Sequence, residues 1–93
     1  MTISAQIRQA IEGNLFPEHF EVINESHKHV GHAGHDGSGE SHFKLIIVST
    51  HFEGYNRIAR HRMVYDLLGP LFSKGLHALS LKTLSPSEYK PTL

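Results

Sequence analysis

A chain of 93 residues without a single cysteine has to hold itself together by burying apolar side chains, since no disulfide framework is open to it. The same absence removes Cys-type zinc sites, a thiol nucleophile and a self-sufficient iron–sulfur site. At this length a single domain over residues 1–93 is expected, and its apolar pattern must supply the core.

That pattern is legible along most of the chain. Ile3, Ile7 and Ile11 recur at helical spacing, with Ala10 and Leu15 near the same side, which predicts an amphipathic helix. Thr2 is its expected N-cap and Gly13-Asn14 its expected stop. Phe20 to Asn24 reads as a short strand. His42 to Ser49 is a stronger one, with Phe43, Leu45 and Ile47 on one face and Lys44, Ile46 and Val48 on the other. After the Phe52-Glu53-Gly54 turn, Val64, Leu67, Leu68 and Leu71 mark a second helix, which Gly69-Pro70 should break before a short continuation ending at Gly75. Leu76 to Thr83 alternates as a third strand, with His77, Leu79 and Leu81 sharing one face. Ser85-Pro86-Ser87-Glu88 has the form of a capping box opening a one-turn helix anchored by Tyr89. The order is αββααβα: an α+β fold in which helices pack on a three-stranded mixed sheet.

Between the first two strands the pattern collapses. Residues 27–41 hold four of the eight glycines and four of the nine histidines, and read as a flexible His/Gly-rich loop. Opposite charges balance at nine each, which is not the footprint of a strongly basic nucleic-acid binder or of a polybasic membrane-surface protein. The balance hides a split, with a net of −4 over residues 1–53 and +4 over residues 54–93, expected to mark two faces of one domain. The N-terminus lacks the charged and apolar regions of a signal peptide, and no apolar run approaches the ~18–20 residues that span a bilayer. A cytoplasmic protein with no membrane partner is expected, monomeric alone or a weak homodimer.

Three groups of residues could carry chemistry. His27, His29, His32 and His35 could wrap a metal ion such as Zn²⁺, Ni²⁺ or Cu²⁺, though a solvated low-complexity loop has the same composition. His77 follows Gly75 closely, where a side chain can project beside a turn. Its alternation with Leu79 and Leu81 instead reads as a hydrogen-bonded structural histidine on the core side. Arg57, Arg60, His61 and Arg62 form the one dense basic cluster, a candidate surface for duplex DNA or an acidic partner. Three arginines offer few phosphate contacts, so strong DNA affinity is not expected of them. Gly31-His32-Ala33-Gly34 matches the GxxG pattern of KH domains but falls between strands, not between helices, and is discounted. No Ser-His-Asp order, paired carboxylates or phosphate loop suggests an enzyme.

Taken in order, the blocks Glu21-Val22-Ile23-Asn24-Glu25-Ser26, Glu40-Ser41-His42-Phe43, Phe52-Glu53-Gly54, Arg60-His61-Arg62-x-Val64-Tyr65 and Leu76-His77-Ala78-Leu79-Ser80-Leu81-Lys82-Thr83 resemble the BolA family. Ser85 to Tyr89 looks like that family's closing segment, with Tyr89 where Trp is common. The resemblance implies a fold like class II KH domains without their GxxG loop. It also implies a non-catalytic partnership with monothiol glutaredoxins, in which a shared [2Fe–2S] cluster takes thiolates from the partner and its glutathione and histidine from this chain. Carried over, the family's ligands fall on His77 and on His29, with His27, His32 and His35 near enough to substitute. A cysteine-free chain can offer neutral imidazoles to such a cluster, and ligation should weaken as pH falls below about 6. As the alternative, the resemblance implies DNA-binding regulation through the helix bearing Arg57, Arg60 and Arg62, which the neutral net charge favours less.

Overall fold

The computed structural model describes residues 2–25 and 42–89. The 27–41 loop, with His27, His29, His32 and His35, lies outside the described residues.

Helix α1 spans Ile3–Leu15. Thr2 caps it, its hydroxyl accepting from the Ala5 amide at 3.0 Å. Ile3, Ile7, Ile11 and Leu15 form its buried stripe, each such side chain contributing about 1.5–3 kcal/mol on burial. The helix runs through the expected stop at Gly13-Asn14, because Leu15 completes the stripe and its burial outweighs the ~1 kcal/mol penalty of a helical glycine. It ends at Phe16, whose backbone lies in the left-handed region at φ 44°, ψ 57° although its ring is 69% exposed. A non-glycine residue there costs ~1–2 kcal/mol, and little burial offsets it. Phe16→Gly is therefore expected to stabilise the fold by about 1 kcal/mol, read as a raised midpoint in urea unfolding.

Strands β1 (His19–Asn24), β2 (His42–Val48) and β3 (Ala78–Leu84) form one sheet in the order β1-β2-β3. β1 pairs antiparallel with β2, and β2 pairs parallel with β3, placing His42 opposite Ala78 and Val48 opposite Leu84. A parallel pair needs a long crossover. Here it contains a 3₁₀ turn at Thr50–Phe52, helix α2 (Arg57–Leu68) and a 3₁₀ helix at Gly69–Lys74. Asn56 caps α2, accepting from the Ala59 amide at 2.9 Å. The helices cover one sheet face, and the core joins Ile7 and Ile11 to Phe43, Leu45, Ile47, Phe52, Val64, Leu68, Leu71 and Leu76.

Three elements differ from the sequence-based expectation. The continuation after Leu68 is a 3₁₀ helix, since Pro70 near its start cannot donate an α-helical hydrogen bond. The third strand begins at Ala78, two residues later than its alternation suggested, and His77 precedes it. The closing segment is a hydrogen-bonded turn, with Glu88 N donating to Ser85 O, not an α-helix. Its Tyr89 stacks on His19 at 5.1 Å, which ties the segment to the β1 end of the sheet.

Candidate functional site

His77 is held from both sides. Leu76 before it is buried and its amide donates to Leu71 O, while Ala78 after it enters the ladder. Gly75, at φ 118°, makes the reversal into this segment, a conformation that side-chain-bearing residues rarely adopt. The His77 imidazole is exposed, so the core-side position suggested by Leu79 and Leu81 is corrected: the ladder starts one residue beyond it.

The parallel register sets a second imidazole beside it. His42 opens β2, and its ring stacks with that of His77, centroids 6.1 Å apart and planes 18° apart. A cleft of about 240 Å³ adjoins the pair, lined by Glu25, His42, Phe43, Ala78, Leu79 and Ser80. Glu25 N donates to His42 O at 2.8 Å. Glu25 and His42 are thus neighbours at this end of the sheet. By alternation alone His42 is an ordinary strand residue. The sequence signal is a histidine at the start of the second strand and another just before the third, but its meaning depends on those strands being parallel neighbours. Among the described residues no three potential metal ligands come together, so this pair offers two imidazoles and any further ligand must come from elsewhere.

The basic cluster is split, with Arg60 inside and Arg57 and Arg62 at the surface. Arg60 is buried at 8% exposure, on the inner stripe of α2 with Val64 and Leu68. Its Nε donates to Phe52 O at 3.0 Å, and Nη1 donates to Thr83 O at 3.2 Å and to Glu88 Oε1 at 2.6 Å. Backbone carbonyls exposed by a turn and a sheet edge need donors, and the planar guanidinium supplies several at once. Arg60 is therefore a structural clamp, a correction to its place on a DNA or partner surface. Arg57 and Arg62 remain exposed. His61 is half-buried, its Nε2 has no hydrogen-bond partner among the described residues, and burial followed by the neighbouring Arg57 holds its pKa below the usual value.

Glu88 completes the clamp. Its carboxylate accepts from the Ser85 amide at 2.8 Å and the Ser85 hydroxyl at 3.0 Å as well as from Arg60. The Ser85 amide, then Arg60, then the Ser85 hydroxyl lower its pKa to about 2. A depressed carboxylate stabilises the fold above the unfolded pKa of 4.5 and loses that contribution as pH falls toward 2. Glu88→Gln is expected to flatten the fall in melting temperature across that window, with little change in its slope between pH 5 and 7.

Among the described residues no helix is long and apolar enough to cross a membrane. A family model for BolA-like proteins matches residues 11–88. The DNA-binding transcriptional regulator BolA of Haemophilus influenzae is 37% identical, over 97% of this chain and 84% of its own length. The structure of BolA1 from Arabidopsis thaliana superposes with a TM-score of 0.83 and 40% identity, over 94% of this chain and 95% of that one. The BolA domain of SufE1 from the same plant gives a TM-score of 0.82 and 44% identity, over 92% and 94%. The chain spans about a quarter of the full plant SufE-like protein 1, at 24%.

Proposed function

Since the chain belongs to the BolA-like protein family, we propose that it is a non-catalytic adaptor that shares a histidine-ligated [2Fe–2S] cluster with a monothiol glutaredoxin, in iron–sulfur trafficking or iron homeostasis. The observation that carries this reading is the pairing of the exposed His77 with His42 at one end of the sheet. Imidazole suits iron, and a chain without thiolates needs a partner to complete the ligand set. The cluster, when shared, supplies a one-electron centre whose potential histidine ligation raises.

His77, on a rigid support, is the first ligand. His29, from the segment attached at Glu25 and His42, is the second, with His27, His32 and His35 as substitutes. His42 orients the His77 ring or stands in as a ligand. Glutathione arrives with the glutaredoxin, and the setting is cytoplasmic. The test is anaerobic reconstitution with a monothiol glutaredoxin, glutathione, iron and sulfide, followed by visible circular dichroism. A spectrum that changes on adding this protein, with a one-to-one complex, supports the adaptor. A glutaredoxin homodimer spectrum left unchanged overturns it.

DNA-binding regulation is the second reading, favoured by the similarity to the DNA-binding transcriptional regulator of Haemophilus influenzae. With Arg60 withdrawn into the interior, it rests on Arg57 and Arg62. Such a surface predicts weak binding to duplex DNA with a shallow dependence on salt.

A further inference from the structure

The end of the molecule away from the His42–His77 pair carries a different kind of site. His19 lies opposite Val48, the far end of β2 from His42, about 20 Å along a strand of this length. There a cleft of about 460 Å³ opens to solvent, lined by Glu12, Phe16, Pro17, Glu18, His19 and Phe20. Two of its walls are aromatic rings and two end in carboxylates.

One ring and one carboxylate already hold a cation. The Arg8 guanidinium carbon lies 5.2 Å from the centre of the Phe20 ring, and Arg8 Nη1 lies 3.5 Å from Glu12 Oε2. A guanidinium is attracted both to the ring quadrupole and to the carboxylate. The second set, Phe16 and Glu18, lines the same cleft, and no cation of the described residues sits over either. Phe16 makes one ring contact, a tilted one with His51 at 6.0 Å, and keeps 69% of its surface exposed. The fold does not need a ring at this position, where glycine would serve the backbone better.

We infer that this cleft binds the side chain of an arginine on a basic segment of a partner protein, stacked on Phe16 and paired with Glu18. The charge of the lining fits that occupant, since it includes two carboxylates, Glu12 and Glu18, and no lysine or arginine. The cleft is open to solvent, so the arginine reaches it as one side chain of a larger surface that supplies the remaining affinity, and an isolated arginine retains weak, saturable binding. The site is separate from the histidine pair and does not depend on its function.

The test is a titration of the ¹⁵N-labelled chain with acetyl-arginine amide, followed by amide chemical shifts. Acetyl-citrulline amide, of the same shape without the charge, is the comparison. Saturable shifts confined to residues 12–20 are expected with the arginine compound and at least fivefold weaker binding with the citrulline one. Phe16→Gly, which relieves the backbone, and Glu18→Gln are each expected to weaken arginine binding at least fivefold while the remaining amide spectrum stays native. Equal binding of the two compounds overturns the inference. So do undiminished binding by Phe16→Gly, and shifts spread over every exposed carboxylate without saturation.

Discussion

His77→Ala is expected to abolish the heterodimeric cluster spectrum when the variant is reconstituted with a monothiol glutaredoxin, while its unfolding midpoint stays close to that of the parent. The side chain is exposed, so its removal leaves no core cavity. Its anchors, Leu76 in the core and Ala78 in the ladder, are untouched. Loss of an imidazole from such a site cannot be made good by alanine, and water is a poor ligand for a cluster iron. His42→Ala separates two roles for the neighbouring ring. If His42 orients His77, the variant retains a cluster with an altered spectrum, whereas full loss assigns it as a ligand. A cluster spectrum unchanged in His77→Ala would remove the residue from the ligand set and the adaptor reading with it.

Arg60→Lys should cost about 3 kcal/mol, although it keeps the charge, because one ammonium cannot serve Phe52 O, Thr83 O and Glu88 at their separate positions. At least one buried carbonyl loses its donor, and breaking a buried charge network falls among the few large single-residue effects. For a domain of this size the loss reads as a fall of more than about 12 °C in melting temperature. Thermal unfolding followed by circular dichroism checks it. A shift within a few degrees of zero would return Arg60 to the surface cluster. Arg57→Ala and Arg62→Ala, on the exposed side of the same helix, should change stability by no more than about 0.5 kcal/mol.

The two arginine faces show where local pattern stops being informative. Val64 and Leu68 announced the buried stripe of α2, and Arg60 lies on that stripe one turn earlier. Hydropathy assigns an arginine to solvent unless acceptors wait inside. Its acceptors lie 8, 23 and 28 residues away in sequence, so no window around residue 60 contains them. The capping box at Ser85–Glu88 was legible as a local motif. That the same Glu88 also closes on Arg60 was not.

By itself the sequence determined the helical stripe of α1, the two faces of β2, the break at Pro70 and the absence of any thiol ligand in the chain. Each follows from side-chain period, backbone chemistry or composition, all properties of short segments or of the whole count. It also carried the family resemblance, through blocks in fixed order. The tertiary structure alone decided that His42 stands beside His77, that Arg60 is inside, and that Phe16 rather than Gly13 ends the first helix. The physical reason is common to all three. A parallel strand pairing, a set of distant carbonyls and the space for one more buried leucine are facts about neighbours remote in sequence, and they exist only once the chain has closed on itself.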